Sequence, residues 1–508
     1  MLLTSFVQVM AQEVVNPLQY GLQDAKNGTD RYSVLLKCHQ DAVKKSATVS
    51  YSGVGSIEIE IPDNFTPIPL TANTDFADCT IKILNKQMDV YLFRMVQKPQ
   101  VIEVPARCID KADFRSAEEL KNGNYILVIN DDNPWVETRI GHDYGHVRKD
   151  IVLIKNGVGS NKPIMPYDNP QSAVKCSFCK IDLGQKVIKN LKVTRDARST
   201  AITNIIRILS QNNVLLENIS VTTPNGSSLV NDRMIHIENC TNVAFKNIKV
   251  DGTYSATDHS GYAFFLNNIW NHTAHNVTAI GNWGVYGTNN VNVALIENCD
   301  LNRFDIHCYG RDITSRRSVY RNLYNQFSAT YGEIRYEGCT FIGFVPYLNA
   351  GSYNAYTPVS VVFDKCTFNL VQYANMATSI AKIEGIDTEQ PNNRQELAKK
   401  NLPNFSFKDC TINIDQNLKS WYFFNFGRVK NLKPLGNISE ITMRNVTING
   451  DADFDISTVA FDTEKPLNIS FKKLYKVNGE KKEKYQMQPV TIGQNTTVKC
   501  NRKVVEKK

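Results

Sequence analysis

The sequence predicts an all-β chain wound as a single right-handed parallel β-helix, a β-solenoid, with an N-terminal capping helix. Three observations point there. A short phrase recurs at coil-like intervals, its central residue is repeatedly Asn, Asp or Gly, and helical periodicity is nearly absent from about residue 175 to 450.

The phrase reads LENISV around Asn218, FKNIKV around Asn247, AHNVTA around Asn276, YRNLYN around Asn322 and MRNVTI around Asn445. A second version carries cysteine: IENCTNV at Cys240, IENCDLN at Cys299, YEGCTFI at Cys339, FDKCTFN at Cys366 and FKDCTIN at Cys410. Central positions 218, 247, 276, 298, 322 and 338 lie 29, 29, 22, 24 and 16 residues apart, close to one coil of a solenoid. Each phrase is a β-branched or apolar alternation broken by a residue that tolerates a left-handed turn, so it reads strand, turn, strand. Parallel coils stack each strand on its equivalent and bury one set of side chains in a continuous core. Asn218, Asn276 and Asn445 also satisfy Asn-x-Ser/Thr, which we read as a turn Asn followed by strand Ser or Thr.

The elements follow in order. Residues 1–11, MLLTSFVQVMA, read as a signal-peptide remnant: they end in Val9-Met10-Ala11, the small-residue form of a cleavage site, but lack a basic start. Residues 12–100 hold the N-terminal cap and first strands. Within them Asp24 to Val43 reads as a turn and an amphipathic helix, with Tyr32, Leu35, Leu36 and Val43 on one side, and Val49 to Ile83 is β-rich. Residues 101–450 are assigned to the β-helix, and 451–508 to C-terminal strands and a basic tail.

Composition narrows the function classes. The net charge of +8 lies wholly in the tail, where Phe471 to Lys508 carries eleven Lys and Arg against three Glu. The body is neutral, so nucleic acid is not an expected partner. No run of eighteen apolar residues occurs, so no transmembrane helix is expected. Twelve cysteines spread over 508 residues are too dilute for a disulfide framework, and repeated cysteines at equivalent positions read as small core hydrophobes. No metal site is expected. Cys176 and Cys179 lack two further ligands, and His142 and His146, near Asp143, sit between glycines that argue against the helix their spacing requires. The cofactor stays open: calcium is compatible with this reading, but no dense acidic cluster marks a site for it.

Tyr254 to Tyr356 holds 19 of the 49 aromatic residues and four of the eight histidines, yet no Lys lies between Lys249 and Lys365. Aromatic faces pack on sugar rings, while His, Arg and carboxylates give directional hydrogen bonds, so this stretch is the expected glycan groove. In NRFDIHCYGRD, alternation sends Phe304, Ile306 and Cys308 inward and presents Arg303, Asp305, His307 and Tyr309 outside as an acid/base set. His259, Trp283, Tyr286, Arg311, Asp312, Glu333 and Arg335 are the expected substrate-binding neighbours from adjacent coils.

The start DAKNGTDRY resembles, with departures, the turn and helix that open pectate-lyase-like proteins. Asn282-Trp283-Gly284 with Gly287, and Arg303-Phe304-Asp305 with His307, resemble NWGxxG and RFDxH phrases of secreted β-helix proteins from gut bacteria. The resemblance implies a pectate-lyase-like fold and a secreted, periplasmic or cell-surface bacterial location, without an established reaction. Three readings stand: a lyase with His307 or Tyr309 as base and Arg303 as neutraliser, a hydrolase pairing Asp305 with Asp312, Asp258 or Glu333, and a non-catalytic glycan-binding or tailspike-like adhesin.

Overall fold

The corner residues set the coil. In the computed structural model Asn218, Asn247 and Asn276 have φ of 54°, 53° and 54°, the left-handed region that Asn enters more readily than most residues. Each amide then donates to the asparagine one coil earlier, Asn218 to Asn190 at 3.0 Å, Asn247 to Asn218 at 3.0 Å and Asn276 to Asn247 at 3.1 Å. Parallel ladders run along other corners, joining Asn268 to Asn239 at 2.9 Å and Asn271 to Asn242 at 2.6 Å.

The cysteine phrase has its own geometry. The residue before each cysteine is left-handed, with φ of 53° at Asn239, 53° at Asn298, 62° at Gly338, 55° at Lys365 and 54° at Asp409. That turn points the following thiol into the core, where Sγ donates to the carbonyl two residues back: 3.1 Å for Cys240, 3.2 Å for Cys299, 3.7 Å for Cys339, 3.5 Å for Cys366 and 3.3 Å for Cys410. The described cysteines are all buried and unbridged, as their repetition implied.

The structure describes residues 13–508 apart from 72, 85–89, 137–145, 164–166, 168, 196–202, 223–227, 230–232, 252, 255–261, 281–285, 307–309, 322–325, 328–329, 344–346, 350–356, 373–376, 385–402, 428–439 and 459–465. Most strands belong to one wound sheet whose neighbours pair in parallel, coil upon coil, from Val14–Val15 to Thr496–Cys500. Long strands such as Arg233–Asp251 and Tyr262–Ile280 turn corners at their left-handed asparagines without leaving the sheet. Inward residues form one apolar core along the whole coil, from Val15 to Cys500.

Helix α1 (Gly28–Lys45) starts at Asn27, whose side chain accepts the Asp30 amide at 2.8 Å, and ends at left-handed Ser46. Tyr32, Leu35, Cys38 and Ala42 enter the coil core. His39 bonds the Pro69 carbonyl at 2.9 Å and the Tyr51 hydroxyl at 2.8 Å. Val43, expected on the packed side, is 47% exposed, because the buried stripe runs through Cys38, His39 and Ala42. No described helix is long and apolar enough to cross a membrane.

Residues 100–180 depart from the parallel pattern. Gln100–Pro105, Ala173–Lys180, Asn124–Val136, His146–Lys155 and Val158–Gly159 pair antiparallel in that order as a separate sheet. One of its faces has its own core around Phe114, Leu127 and Val152, while Ile126, Val128, Ile151 and Leu153 on the other pack with Trp270 of the coil. At the far end, antiparallel hairpins Leu467–Asn478/Lys481–Lys484 and Thr496–Cys500/Lys503–Val504 finish the sheet and carry the basic tail.

Asn247→Ala removes two ladder bonds and forces alanine into a left-handed corner, a combined loss of about 2–3 kcal/mol. The urea unfolding midpoint should fall, and fall less in Asn247→Gly, which keeps the turn. Equal midpoints for wild type and N247A contradict the ladder's structural role.

Candidate functional site

Four successive coils share an out-in-in-out pattern on one face. Leu92 and Phe93, Ile205 and Ile206, Met234 and Ile235, and Ala263 and Phe264 are buried in the coil core. Flanking them, with side chains turned away from the coil core, are Tyr91 and Arg94, Asn204 and Arg207, Arg233 and His236, and Tyr262 and Phe265, of which Asn204 and His236 are covered by their neighbours and buried, 4% and 5% exposed. The pairings Tyr91 with Asn204, Arg233 with Tyr262, and Arg94 with Arg207, His236 and Phe265 stack these residues in two columns.

The columns mesh through a polar chain. The Tyr91 hydroxyl lies 2.6 Å from Nδ1 of His236. The other ring nitrogen, Nε2, faces the Glu238 carboxylate at 3.8 Å, and Arg207 approaches the same carboxylate at 3.6 Å. Asn267 donates to Glu238 at 3.2 Å. Guanidinium groups flank the pair: Arg207 stands 5.1 Å from the centre of the Tyr91 ring and Arg233 4.4 Å from that of Phe265. His236 and Phe265 meet edge to face at 5.0 Å.

Burial, then the charges of Arg233 and Arg207, push the His236 imidazole down to about 3. A neutral ring with Nε2–H toward Glu238 leaves Nδ1 to accept the Tyr91 proton. Burial raises the Tyr91 hydroxyl above its ordinary value against the opposing pull of the two arginines. The free site is therefore a neutral phenol–imidazole pair with two guanidiniums and the Glu238 carboxylate around it. Among the described residues no three His, Cys, Asp or Glu side chains gather to hold a metal.

The residues expected from the sequence divide differently. Arg303 and Asp305, expected outside, are 1% and 0% exposed. Arg303 through Ile306 are buried consecutively, so period-two alternation does not hold there. Their opposite charges meet at 2.6 Å, which is what permits both to leave water. Tyr286 is also interior: 0% exposed, 5.0 Å from the rings of both Phe264 and Phe304, its hydroxyl bonded to His272. His259, Trp283, His307 and Tyr309 lie outside the described residues, as does Asp258. Arg311 reaches the carbonyls of Lys162 and Pro163 at 3.4 Å each, fastening the coil to the segment between the inserted strands Val158–Gly159 and Ala173–Lys180. Asp312, Glu333 and Arg335 form a partly exposed strip. There the Glu333 carboxylate holds Arg335 at 2.6 Å and Ser360 at 3.2 Å, and Asp312 accepts the Glu333 amide at 3.2 Å.

Gly287 joins the two regions. It pairs with Phe265 on one side and Asp305 on the other, and a Cβ there would lie 2.5 Å from the Tyr262 ring. This glycine of the NWGxxG phrase makes room for an aromatic ring of the outer face. Sequence reasoning missed Tyr91, Arg207, Arg233, His236, Glu238 and Phe265. The signal was present: Asn204-Ile-Ile-Arg207, Arg233-Met-Ile-His236 and Tyr262-Ala-Phe-Phe265 repeat every 29 residues, the interval of the turn asparagines.

No family model matches the chain, and no curated protein matches it in sequence. Two solved tailspike structures do share the fold. The tailspike protein gp49 from Pseudomonas phage LKA1 superposes with a TM-score of 0.52 at 12% identity, over 91% of this chain and 81% of that one. The Gp54 tailspike of Acinetobacter baumannii bacteriophage AP22, solved in complex with A. baumannii capsular saccharide, gives 0.58 at 12% identity, over 96% and 79%. A family 28 exopolygalacturonase of Yersinia enterocolitica gives 0.42 at 11% identity, over 98% and 79%.

His39, His236 and His272 are buried and held neutral, at about 4, 3 and 4. Unfolding restores an ordinary imidazole near 6.5, so each contributes stability that is complete above that value and is lost as pH falls toward its folded one. Folding stability should therefore decline from about pH 6.5 downward, less steeply in His236→Gln. A denaturation series with the same pH dependence in both proteins contradicts the buried, neutral assignment.

Proposed function

We propose that the chain is a secreted right-handed β-helix, capped by α1, that binds an acidic polysaccharide across Tyr91, Arg207, Arg233, His236 and Phe265 and cleaves it by β-elimination. The observation that carries this reading is the Tyr91–His236 hydrogen bond flanked by two guanidiniums on the outside of the coil. Aromatic rings offer apolar platforms for pyranose faces, and arginine forks fit a uronic carboxylate. The fold shared with the AP22 tailspike, whose structure holds a capsular saccharide, agrees with a glycan on this architecture.

β-Elimination removes the proton beside the sugar carboxylate, forms a C4–C5 double bond and breaks the C4–O glycosidic bond. Arg207 and Arg233 hold the carboxylate and stabilise the charge that develops on it. The Tyr91 oxygen takes the C5 proton as its own proton passes to Nδ1 of His236. Glu238 faces the resulting imidazolium. The phenol then protonates the departing C4 oxygen and recovers its proton from His236, which closes the cycle. A bound carboxylate offsets the charges of Arg233 and Arg207, which act after burial in depressing His236, and so shifts the imidazole back toward accepting the Tyr91 proton.

Hydrolysis needs two carboxyl groups about 5–10 Å apart. Along this face Glu238 shares a coil with His236, and Asp305 stands three pairings further on through Phe265 and Gly287. At about 4.8 Å per strand that is roughly 14 Å of rise alone, too far for the pair.

Purified protein should release unsaturated ends, seen by ultraviolet absorbance, from a uronic-acid polysaccharide and not from a neutral one. Tyr91→Phe should lower kcat by about a hundredfold or more, in the range for general acid–base groups. Arg207→Ala with Arg233→Ala should abolish turnover. New reducing ends without absorbance mean hydrolysis, and glycan binding without products means an adhesin; either overturns the elimination reading.

A further inference from the structure

The inserted sheet meets the coil at a second concave site beside this face. Gln97 and Lys98 follow directly on the strand Val90–Val96 that carries Tyr91 and Arg94, and the Gln97 amide donates to the Lys180 carbonyl at 2.5 Å. Between coil and insert lies a cavity of about 300 Å³, lined among others by Gln97, Lys98, Glu119, Tyr125, Phe178 and Lys180.

We propose that this cavity is a distal subsite that holds a negatively charged sugar unit of the same polysaccharide chain bound at Tyr91 and His236. The inference rests on the acidic-glycan reading of that face and adds to it a chain-length requirement and a role for the insert.

The lining suits such a unit. Tyr125 and Phe178 meet edge to face at 5.7 Å, and the Tyr125 hydroxyl is fixed by donation to the Asn122 carbonyl at 2.8 Å, so the aromatic wall is preformed. Lys98 and Lys180 are exposed and outnumber the one carboxylate, Glu119. A ring wall with ammonium groups on a short polar rim matches the apolar face and the carboxylate of a sugar acid. Six residues of extended chain separate Tyr91 from Gln97, roughly 20 Å, which a polymer bridges and a disaccharide does not.

Lys98 and Lys180 lie outside the Tyr91–His236 site, so a Lys98→Gln/Lys180→Gln double variant separates the two regions. Isothermal titration with short and long oligomers of polygalacturonate and of alginate reads the difference. Wild type should bind the long oligomers more tightly, and the double variant should lose about tenfold of that gain, about 1.4 kcal/mol, while short-oligomer affinity stays unchanged. Tyr125→Ala should act in the same direction. Equal losses for short and long chains, or no length dependence in wild type, overturn the subsite and leave the Tyr91–His236 reading standing. If neither ladder binds, or if Arg207→Ala with Arg233→Ala leaves binding intact, the acidic-glycan reading fails and the subsite with it.

Discussion

Every other feature depends on the stacking of one coil on the next in register. The asparagine corners enforce it, because a left-handed residue fixes where the chain turns and its side chain fixes which residue of the preceding coil it sits upon. A strand slipped by one residue would exchange core and surface. The corner ladder opposes that slip with side-chain hydrogen bonds outside the backbone sheet.

Register is also what builds the outer face. Tyr91 and His236 are far apart in sequence, yet the intervening strand Thr203–Leu209 sets them within hydrogen-bond distance. A coil places one residue of each type every strand spacing, so a surface of this kind is read along the axis as columns. The 29-residue interval that positions Asn218, Asn247 and Asn276 also positions Asn204, Arg233 and Tyr262. Corner residues and the residues of the proposed site thus share one period, and the same constraint that closes the core aligns the arginines with the aromatic rings.

Much of the architecture was legible in the sequence, because its determinants are local and repeated. Turn asparagines, the cysteine phrase and α1 are each set by a few neighbouring residues. The site was less legible. Period-two alternation placed Arg303 and Asp305 outside, but a pair of opposite charges can be buried together, and sequence spacing does not distinguish an exposed pair from a neutralised one. Tyr286 was read as a polar contact, yet a phenol with a histidine partner is at home in a core. Among the described residues part of the aromatic density of the middle coils is interior stacking, as with Tyr336 and Phe341, 5.0 Å apart and edge to face. The antiparallel insert was illegible for a different reason: its strands are apolar and β-branched runs, as those of the coil are, and only long-range pairing separates them.

The most direct test of the central claim is a crystal structure with a bound acidic oligosaccharide. A sugar carboxylate should lie between Arg207 and Arg233, with C5 of that sugar facing the Tyr91 hydroxyl. A saccharide seated instead on the Asp312–Glu333–Arg335 strip, with the Tyr91–His236 face empty, would contradict it.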